Sequence, residues 1–465
     1  MLWDGVPLGF TKGDKPHAWA GSAATLICGP PGSGKTVKLI CNQLLDDDSG
    51  KRSYVVVDPK CEVCAITSRF RRKVGDVKVI NGYGLLVDQR PDLKSDKWNP
   101  LAALDPGSPG FSDECAAIGN ALIKTDSNEH QKHFPDAARS AATGCMMQEC
   151  KDAKQDNRPP SLLRVRILLT QDRKPMQDFI RRAIAEGDPA IISRLAKFLD
   201  DTDELANIKS TFEVASTWID SPLQADMDTA EGVDFRDGRK RCTTYYIIVP
   251  TEELESKAVY LRLALSAALR AIYREPGMPM TLIIDEGFVL GHHSLIEQAL
   301  SILRGFGGNM TIAFQSIAQI KQLYPNTWGL FLAGAVCGFR PGDLETARWV
   351  SDRAGEKIEA ILSAADPSNP GDLGVRPSWQ QQKRPRIPVG KLFSMPDNRA
   401  LVFRPGEEAP TVVRMKAYHE LALSARASPN PYFGGKAEHS IIGTVAAIAA
   451  VLGIGVVLAN LLAGS

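Results

Sequence analysis

The sequence predicts an α/β fold: a mostly parallel sheet with helices on both faces, interrupted by an all-α insertion. Short β-branched runs alternate with helical stretches over roughly the first 100 residues. A long helical stretch with few β-branched clusters follows, and buried-strand patterns then return in the second half. This strand–helix–strand order is typical of doubly wound sheets.

Composition permits this fold and leaves the class of partner open. The chain has 465 residues, of which 44% are apolar, enough for two or three domains. Its formal net charge is +1, so any nucleic-acid contact has to come from a local patch or channel. The 9 cysteines are scattered and no secretory signal is evident, which indicates reduced thiols in a cytosolic compartment.

The first elements surround a glycine-rich loop. Ala23–Cys28 has the composition of a buried strand, and Thr36–Leu45 has helical length. Tyr54–Asp58 and Val77–Asn81 are further short apolar runs, typical of buried parallel strands. The glycine-rich loop therefore lies where a phosphate-binding loop is required, after a strand and before a helix.

That loop, GPPGSGKT, fits the G-x4-G-K-[ST] pattern. Its glycines let backbone N–H groups turn toward phosphate, and the helix N-terminus favours an anion. We expect Lys35 to reach the β- and γ-phosphates and the Thr36 hydroxyl to bind Mg²⁺. The predicted nucleotide-binding residues are Gly29, Pro30, Pro31, Gly32, Ser33, Gly34, Lys35 and Thr36.

The second half of the chain resumes the strand pattern after the helical stretch at about residues 111–234. The predicted strands are Thr243–Val249, Thr281–Asp285, Met310–Gln315 and Ala335–Phe339. A helix fits over Tyr260–Tyr273, and Ser363–Arg386, rich in Pro, Gly, Ser and Gln, is typical of a flexible loop. The nucleotide domain is therefore predicted to be split by the helical insertion.

Two carboxylates end the strand TLIIDE. We expect Asp285 to hold Mg²⁺ through water and Glu286 to polarise the water that attacks the γ-phosphate. Alone, an Asp-Glu pair after an apolar run is often an ordinary strand end. A phosphate-binding loop in the same chain favours the catalytic interpretation.

Two further side chains are candidates for nucleotide sensing. Gln315 ends the next strand, where an amide can sense γ-phosphate or, alternatively, cap the following helix. Arg304 lies among glycines on an expected exposed turn. It is either an arginine offered to a neighbouring subunit or a solvated surface residue.

These motifs, in this order, resemble the TraG/TraD-type coupling ATPases of type IV secretion and conjugation systems, relatives of FtsK-like DNA translocases. The resemblance extends over about residues 1–420. The other segments that carry it are Leu2–Gly9, Val55–Glu62, Trp98–Leu104, Tyr245–Leu269, Asp343–Glu356 and Leu392–Phe403.

The resemblance implies a RecA-like P-loop NTPase that forms a homo-hexamer and uses ATP and Mg²⁺ at sites between subunits. It assigns an arginine finger to Arg304 and a sensing glutamine to Gln315, and it matches Lys35, Thr36, Asp285 and Glu286 to the family's ATP site. The implied function is to recruit DNA, expected to be single-stranded, with its relaxase, or protein effectors, and to drive their transfer to a secretion channel. The alternatives are an FtsK-like translocase and a nucleotide-binding adaptor that recruits effectors without pumping.

The predicted organisation departs from the family at one end. Residues 440–464 are uncharged and long enough to cross a bilayer, so we expect a C-terminal transmembrane helix, whereas relatives usually carry N-terminal ones. The expected location is the bacterial inner membrane, with the bulk of the protein in the cytoplasm. The predicted segments are 1–108 and 237–425 for the nucleotide-binding domain, 109–236 for the all-α domain, 426–439 for a linker and 440–464 for the membrane helix.

Three other features allow two interpretations each. Cys61 and Cys64 form a lone C-x2-C, and His292 and His293 have no evident third ligand, so neither pair is a strong metal site. Basic residues cluster at 69–73 and through 158–182. They would either line a channel for DNA or form solvated faces paired with neighbouring acids.

Overall fold

The computed structural model describes residues 1–123, 133–199, 203–364 and 377–432. By its internal contacts the chain divides into two compact units. The first unit contains Met1–Gln43 and Thr311–Ala417, and the second contains Leu44–Met310 with the described part of Tyr418–Ser465.

The first unit is built on a mixed sheet. Its strands, in spatial order, are β2 (Lys15–Trp19), β1 (Val6–Thr11), β13 (Thr411–Arg414), β12 (Arg399–Phe403), β9 (Val336–Gly338), β3 (Thr25–Cys28) and β8 (Gly308–Phe314). Strand β3 is parallel to both β8 and β9, whereas β12 and β9 run antiparallel. All four side chains of β3 are buried, so this strand is the centre of the unit's core.

Among the described residues, the helices of the first unit are α13 (Ile317–Leu323), α14 (Leu344–Ala354) and α15 (Val389–Phe393), and α1 (Cys41–Asp46) begins in this unit. A π-helical turn, Thr36–Ile40, leads into α1. Strands β10 (Glu356–Ala364) and β11 (Pro377–Pro385) pair antiparallel in a separate hairpin. The prediction of a loop over 363–386 is therefore wrong for residues 377–385, because cross-strand pairing with β10 outweighs their low β-propensity.

The second unit contains a parallel sheet in the order β7 (Met280–Ile284), β4 (Ser53–Val57), β6 (Thr243–Ile247) and β5 (Asp76–Ile80). All pairings of β4, β5 and β6 are parallel. Every residue of β4, β6 and β7 is buried, which explains their continuous apolar and aromatic runs. The prediction of an α/β fold with a mostly parallel sheet is confirmed.

Helices surround this sheet and fill the chain between β5 and β6. They are α2 (Glu62–Val74), α3 (Phe111–Leu122), α4 (His133–Gln155), α5 (Leu162–Thr170), α6 (Arg173–Ala185), α7 (Pro189–Leu195), α8 (Asp203–Ser216), α9 (Gln224–Met227), α10 (Asp237–Lys240), α11 (Ala258–Arg274) and α12 (Ser294–Ile302). Between β5 and β6 the described residues contain no strand.

The predicted membrane helix at 440–464 lies outside the described residues. In the part of the chain that the structure covers, no helix combines the length and the apolar character needed to span a bilayer. The predicted domain boundaries stay predictions.

Candidate nucleotide site

The phosphate loop begins where β3 ends, between two parallel neighbours. Cys28, the last residue of β3, pairs with Phe314 of β8 and with Gly338 of β9. The Gly29 N–H donates to the Phe314 carbonyl at 3.1 Å, and the Phe339 N–H donates to the Cys28 carbonyl at 2.8 Å. The loop is therefore held on both sides at the carboxyl edge of the first unit's sheet, where open α/β sheets bind ligands.

Glycine is required at three points of the loop. Gly32 and Gly34 have φ values of 76° and 84°, which place their backbones in the left-handed region. A Cβ on Gly29 would lie 2.8 Å from the Cβ of Phe339. This backbone curl is the arrangement that presents successive N–H groups to phosphate.

Two lysines donate to carbonyls of the loop. Lys35 Nζ lies 2.6 Å from the Gly29 carbonyl oxygen and 3.3 Å from that of Pro30. Lys38 Nζ lies 2.9 Å from the Ser33 carbonyl and 2.9 Å from the Asp397 carbonyl. Lys35 is the predicted phosphate ligand. Lys38 was not predicted, because the motif ends at Thr36.

The helix that follows the loop does not start as an ordinary α-helix. Thr36–Ile40 is a π-helical turn, and the Lys38 N–H donates to the Gly34 carbonyl at 2.8 Å. Such turns are rare and are frequently found at functional sites. Buried Leu39 and Ile40 fix the turn against the core, while Lys35 and Thr36 stay partly exposed.

Gln315 lies beside this loop, because it directly follows Phe314 at the same edge. It is half-buried, and its backbone N–H donates to Gln319 Oε1 at 2.9 Å. Ser316 caps α13 by accepting from the Gln319 N–H. The cap of α13 is thus made by Ser316, whereas the alternative interpretation of the sequence gave that role to Gln315.

Residues after β9 form the other side of the loop. The Lys38 ammonium lies 5.8 Å from the centre of the Phe339 ring, and Arg340 pairs with Asp397 at 2.9 Å. Burial raises the pKa of the Cys28 thiol to about 12, opposed by the charge of Lys35. Sequence analysis predicted a strand here but no role for Phe339 or Arg340.

The acidic pair lies in the second unit, at the carboxyl edge of its sheet. Ile284 of β7 pairs with Val57 of β4, and the Asp285 N–H donates to the Val57 carbonyl at 3.4 Å. Glu286 follows in extended conformation, and both carboxylates are half-buried. The strand therefore delivers the pair to its end, as predicted.

A third carboxylate, which sequence analysis did not include in the site, lies at the same edge. Asp58 follows Val57, is 0% exposed, and accepts from the Glu62 and Cys64 N–H groups at 3.1 and 2.7 Å. Burial raises its pKa to about 7, and the charge of Asp285 adds to this rise. The available signal was an aspartate directly after a buried strand in VVVD.

Arg304 is exposed on the turn Leu303–Phe306 of the second unit. The turn is anchored from behind by Arg239, which is 4% exposed. The Arg239 guanidinium donates to the Phe306 carbonyl at 2.9 Å and to the Glu275 carbonyl at 2.7 Å. The exposed position agrees with both interpretations of Arg304, and its role stays a prediction.

The cysteine pair and the histidine pair both lie in the second unit. No group of three His, Cys, Asp or Glu side chains suited to a metal occurs in the described residues. Cys61 and Cys64 are buried, and Cys61 has a φ of 56° just before α2. His292 lies 3.2 Å from Glu297, whereas His293 is buried with its ring nitrogen 3.5 Å from Ser266 Oγ.

Fold and loop together define an α/β protein with a phosphate-binding loop at the carboxyl edge of a mostly parallel sheet. The family described as type IV secretory system conjugative DNA transfer matches residues 5–437, and the chain belongs to this family. The resemblance seen in the sequence is thereby confirmed.

Individual relatives are distant. The conjugal transfer protein TraG of Rhizobium radiobacter is 25% identical over 404 residues, covering 83% of this chain and 60% of the relative. The type IV secretion system-coupling protein VirD4 of Bartonella quintana is 22% identical, covering 65% of this chain and 48% of the relative. The chain thus spans about half to 60% of the length of these relatives.

Solved structures show the same fold. The bacterial conjugative coupling protein TrwBdeltaN70 superposes with a TM-score of 0.65 at 15% identity, covering 88% of each chain. The plasmid coupling protein TrwB in complex with ADP and Mg²⁺ has a TM-score of 0.63 at 14% identity, covering 85% of each chain.

Proposed function

We propose that this chain is an ATP-hydrolysing coupling protein that recruits DNA with its relaxase, or protein effectors, and drives their transfer to a type IV secretion channel. The observation that carries the proposal is the intact strand–loop–helix arrangement of Gly29–Thr36 in a chain that matches its family over residues 5–437. TrwB, which has the same fold, has a solved structure in complex with ADP and Mg²⁺.

The residues present fit ATP and Mg²⁺. Left-handed Gly32 and Gly34 orient the loop's N–H groups, and Lys35 already lies within the loop, where a phosphate would replace the Gly29 carbonyl as its partner. The Thr36 hydroxyl and the Asp285 carboxylate are the hard oxygen ligands that Mg²⁺ prefers. When bound, Mg²⁺ neutralises charge on the β- and γ-phosphate oxygens.

We infer the following roles for the reaction. Glu286 accepts a proton from the attacking water. The oxygen of that water bonds to the γ-phosphorus as the bond from the γ-phosphorus to the β,γ-bridging oxygen breaks. Lys35 stabilises the charge that develops on the transferred group. Arg304 offers a guanidinium to the site of a neighbouring subunit, and Gln315, beside the loop, orients water or senses the γ-phosphate. The assembly proposed is a homo-hexamer.

We also propose that residues 440–464 anchor the protein in the bacterial inner membrane, with the bulk of the protein in the cytoplasm. Its support is the uncharged sequence of that segment and the secretion system to which the family belongs. Deleting 440–465 is expected to release the protein from isolated membranes into the soluble fraction. Continued sedimentation of the deletion variant with membranes would contradict this anchor.

The decisive test is ATP turnover with and without single- and double-stranded DNA at several salt concentrations. We expect stimulation by DNA, larger for single strands, that weakens as salt increases because phosphate contacts release counterions. Nucleotide binding without hydrolysis would favour the adaptor. Stimulation only by double strands would favour an FtsK-like translocase.

A further inference from the structure

A second concave site lies wholly within the second unit, where the helices between β5 and β6 meet the parallel-sheet region. Its walls are α3, α11 and the two chain segments 98–104 and 233–236, which lead into and out of the helical stretch. The cavity has a volume of about 120 Å³. It is separate from the phosphate loop and from the acidic pair, neither of which contributes a lining residue.

The inside of this cavity is apolar and partly aromatic. Trp98 and Phe235 stand on one side with ring centres 6.0 Å apart, and Leu104, Ile118 and Leu263 complete the apolar surface. One water needs roughly 10–15 Å³ of such space, so the cavity accommodates a ligand of about ten non-hydrogen atoms. The two rings favour an aromatic ligand, because offset and edge contacts between rings add to simple burial.

One wall contributes an arginine that the protein itself does not fully satisfy. Arg270 Nη2 is buried, and no hydrogen bond to it occurs within the described residues. Its carboxylate neighbour, Glu114 Oε1, is 3.7 Å away and is also in contact with Arg274. Arg270 Nη1 reaches only the Asp113 carbonyl, at 3.5 Å.

The other two arginines of the lining, Arg236 and Arg274, have closer partners. Arg236 Nε lies 2.9 Å from Asp234 Oδ2, and Arg274 contacts Glu114. Glu275 stands at the edge of the cavity, where its charge acts on Arg236. Burial, and then the charge of Arg274, lowers the pKa of Arg270, and the charges of Glu114 and Asp113 only partly offset this. A buried guanidinium in this state favours a carboxylate partner, which supplies two acceptor oxygens.

We propose that this cavity binds a small aromatic carboxylate, with its ring packed against Trp98 and Phe235 and its carboxylate accepting hydrogen bonds from Arg270. A ligand there contacts α3 and α11 and also both segments that connect the helices to the sheet region. Its binding therefore stiffens that connection. This inference does not depend on ATP hydrolysis.

The test uses the full chain and three probes of one shape: 3-phenylpropionate, 3-phenylpropan-1-ol and 3-phenylpropylamine. Binding is followed by calorimetry and by the shift in melting temperature. We expect saturable binding of the carboxylate with a dissociation constant of about 0.1–1 mM, at least about tenfold weaker binding of the alcohol, and none of the amine. Equal affinity for carboxylate and alcohol, or no saturation up to about 10 mM carboxylate, would overturn the proposal.

Variants separate charge from shape. Arg270→Met should weaken the carboxylate about tenfold and leave the alcohol unchanged, and Arg270→Lys should recover part of the loss. Ala267→Phe, which fills the cavity from α11, should abolish binding of both; if it does not fold, Ala117→Leu serves the same purpose from α3. Arg241→Met is the matched control, since Arg241 pairs with Asp76 outside the cavity. Unchanged carboxylate affinity in a folded Arg270→Met variant would refute the assignment.

Discussion

The phosphate loop and the basic cluster at 69–73 were both recognised from the sequence. The fold keeps the predicted geometry of the loop, whereas it pairs or buries arginines of the cluster. The loop keeps the geometry that its motif predicts, with left-handed glycines and Lys35 inside the curl. In the cluster, Arg72 pairs with Asp92 at 2.8 Å, and Arg69 lies 4.0 Å from the same carboxylate. Arg71 is 0% exposed and donates to Thr244 Oγ1 at 3.0 Å.

Arginines of the helical stretch are also paired with carboxylates. Arg158 pairs with Glu149 at 2.6 Å and Arg182 with Asp152 at 2.6 Å. Arg166 contacts Asp220. The geometry of a motif that acts through its own backbone depends on the local sequence. The effect of a run of basic residues depends on acidic residues supplied from elsewhere in the chain. The interpretation as paired faces describes these arginines better than a free basic channel.

We expect the largest loss of ATP turnover from substitution of Lys35 in the phosphate loop. Lys35→Ala should reduce ATP turnover to background, by more than about 10³-fold, because it removes the charge facing the phosphates. The fold should persist, since the described contacts of this ammonium are to loop carbonyls. Lys38→Ala is the control and should retain more activity. Normal turnover in a phosphate-release assay of Lys35→Ala would contradict the site.

Arg304→Ala should lower turnover about 10³-fold if the guanidinium acts in a neighbouring subunit. Mixing this variant with Lys35→Ala subunits should restore activity, because intact loops and intact arginines then meet at some interfaces. The readout is turnover against mixing ratio. A flat curve at all ratios would rule out action between subunits.

Glu286→Gln should lower turnover about 10²–10³-fold while leaving ATP affinity nearly unchanged, because the amide keeps the shape and loses the base. Binding of a fluorescent ATP analogue and single-turnover hydrolysis separate the two effects. Loss of nucleotide binding in this variant would contradict the role of Glu286 as the base.

Asp58 gives a smaller effect, on stability rather than on activity. Its pKa of about 7 in the folded protein exceeds the unfolded value near 4, so the native state binds the extra proton between these values. The unfolding free energy should therefore fall as pH rises from about 4 to 7, by up to about 4 kcal/mol. Denaturant unfolding at several pH values should show a flatter dependence for Asp58→Asn. An unchanged slope would contradict the shift.

The smallest effects are expected in the basic clusters. Arg72→Ala and Arg182→Ala should each change DNA-stimulated turnover by less than about twofold, because their charges are already paired at the surface. The measurement is the DNA concentration that gives half-maximal stimulation, with its dependence on salt. A large loss of DNA-stimulated turnover, together with a weaker dependence on salt concentration, would indicate that these residues contact DNA.

Sequence alone determined the features that repeat a short physical pattern. Continuous apolar runs such as Tyr54–Asp58 gave the parallel strands, and GPPGSGKT gave the loop, because a buried strand and a phosphate-binding backbone each need a fixed local order of residue types. The position of the acidic pair was also predictable, because a parallel strand places the residues that follow it at the carboxyl edge of the sheet. The family was recognisable from the order of these motifs.

Tertiary structure alone decided what depends on residues distant in the chain. Asp58 became a buried acid because β4 lies beside β7, and Phe339 reached the phosphate loop because β9 lies beside β3. Arg239 was brought behind the turn that carries Arg304, and Arg270 was left with an unsatisfied nitrogen in an apolar cavity. Burial and charge pairing depend on which segments pack together, and no local spacing in the sequence encodes that choice.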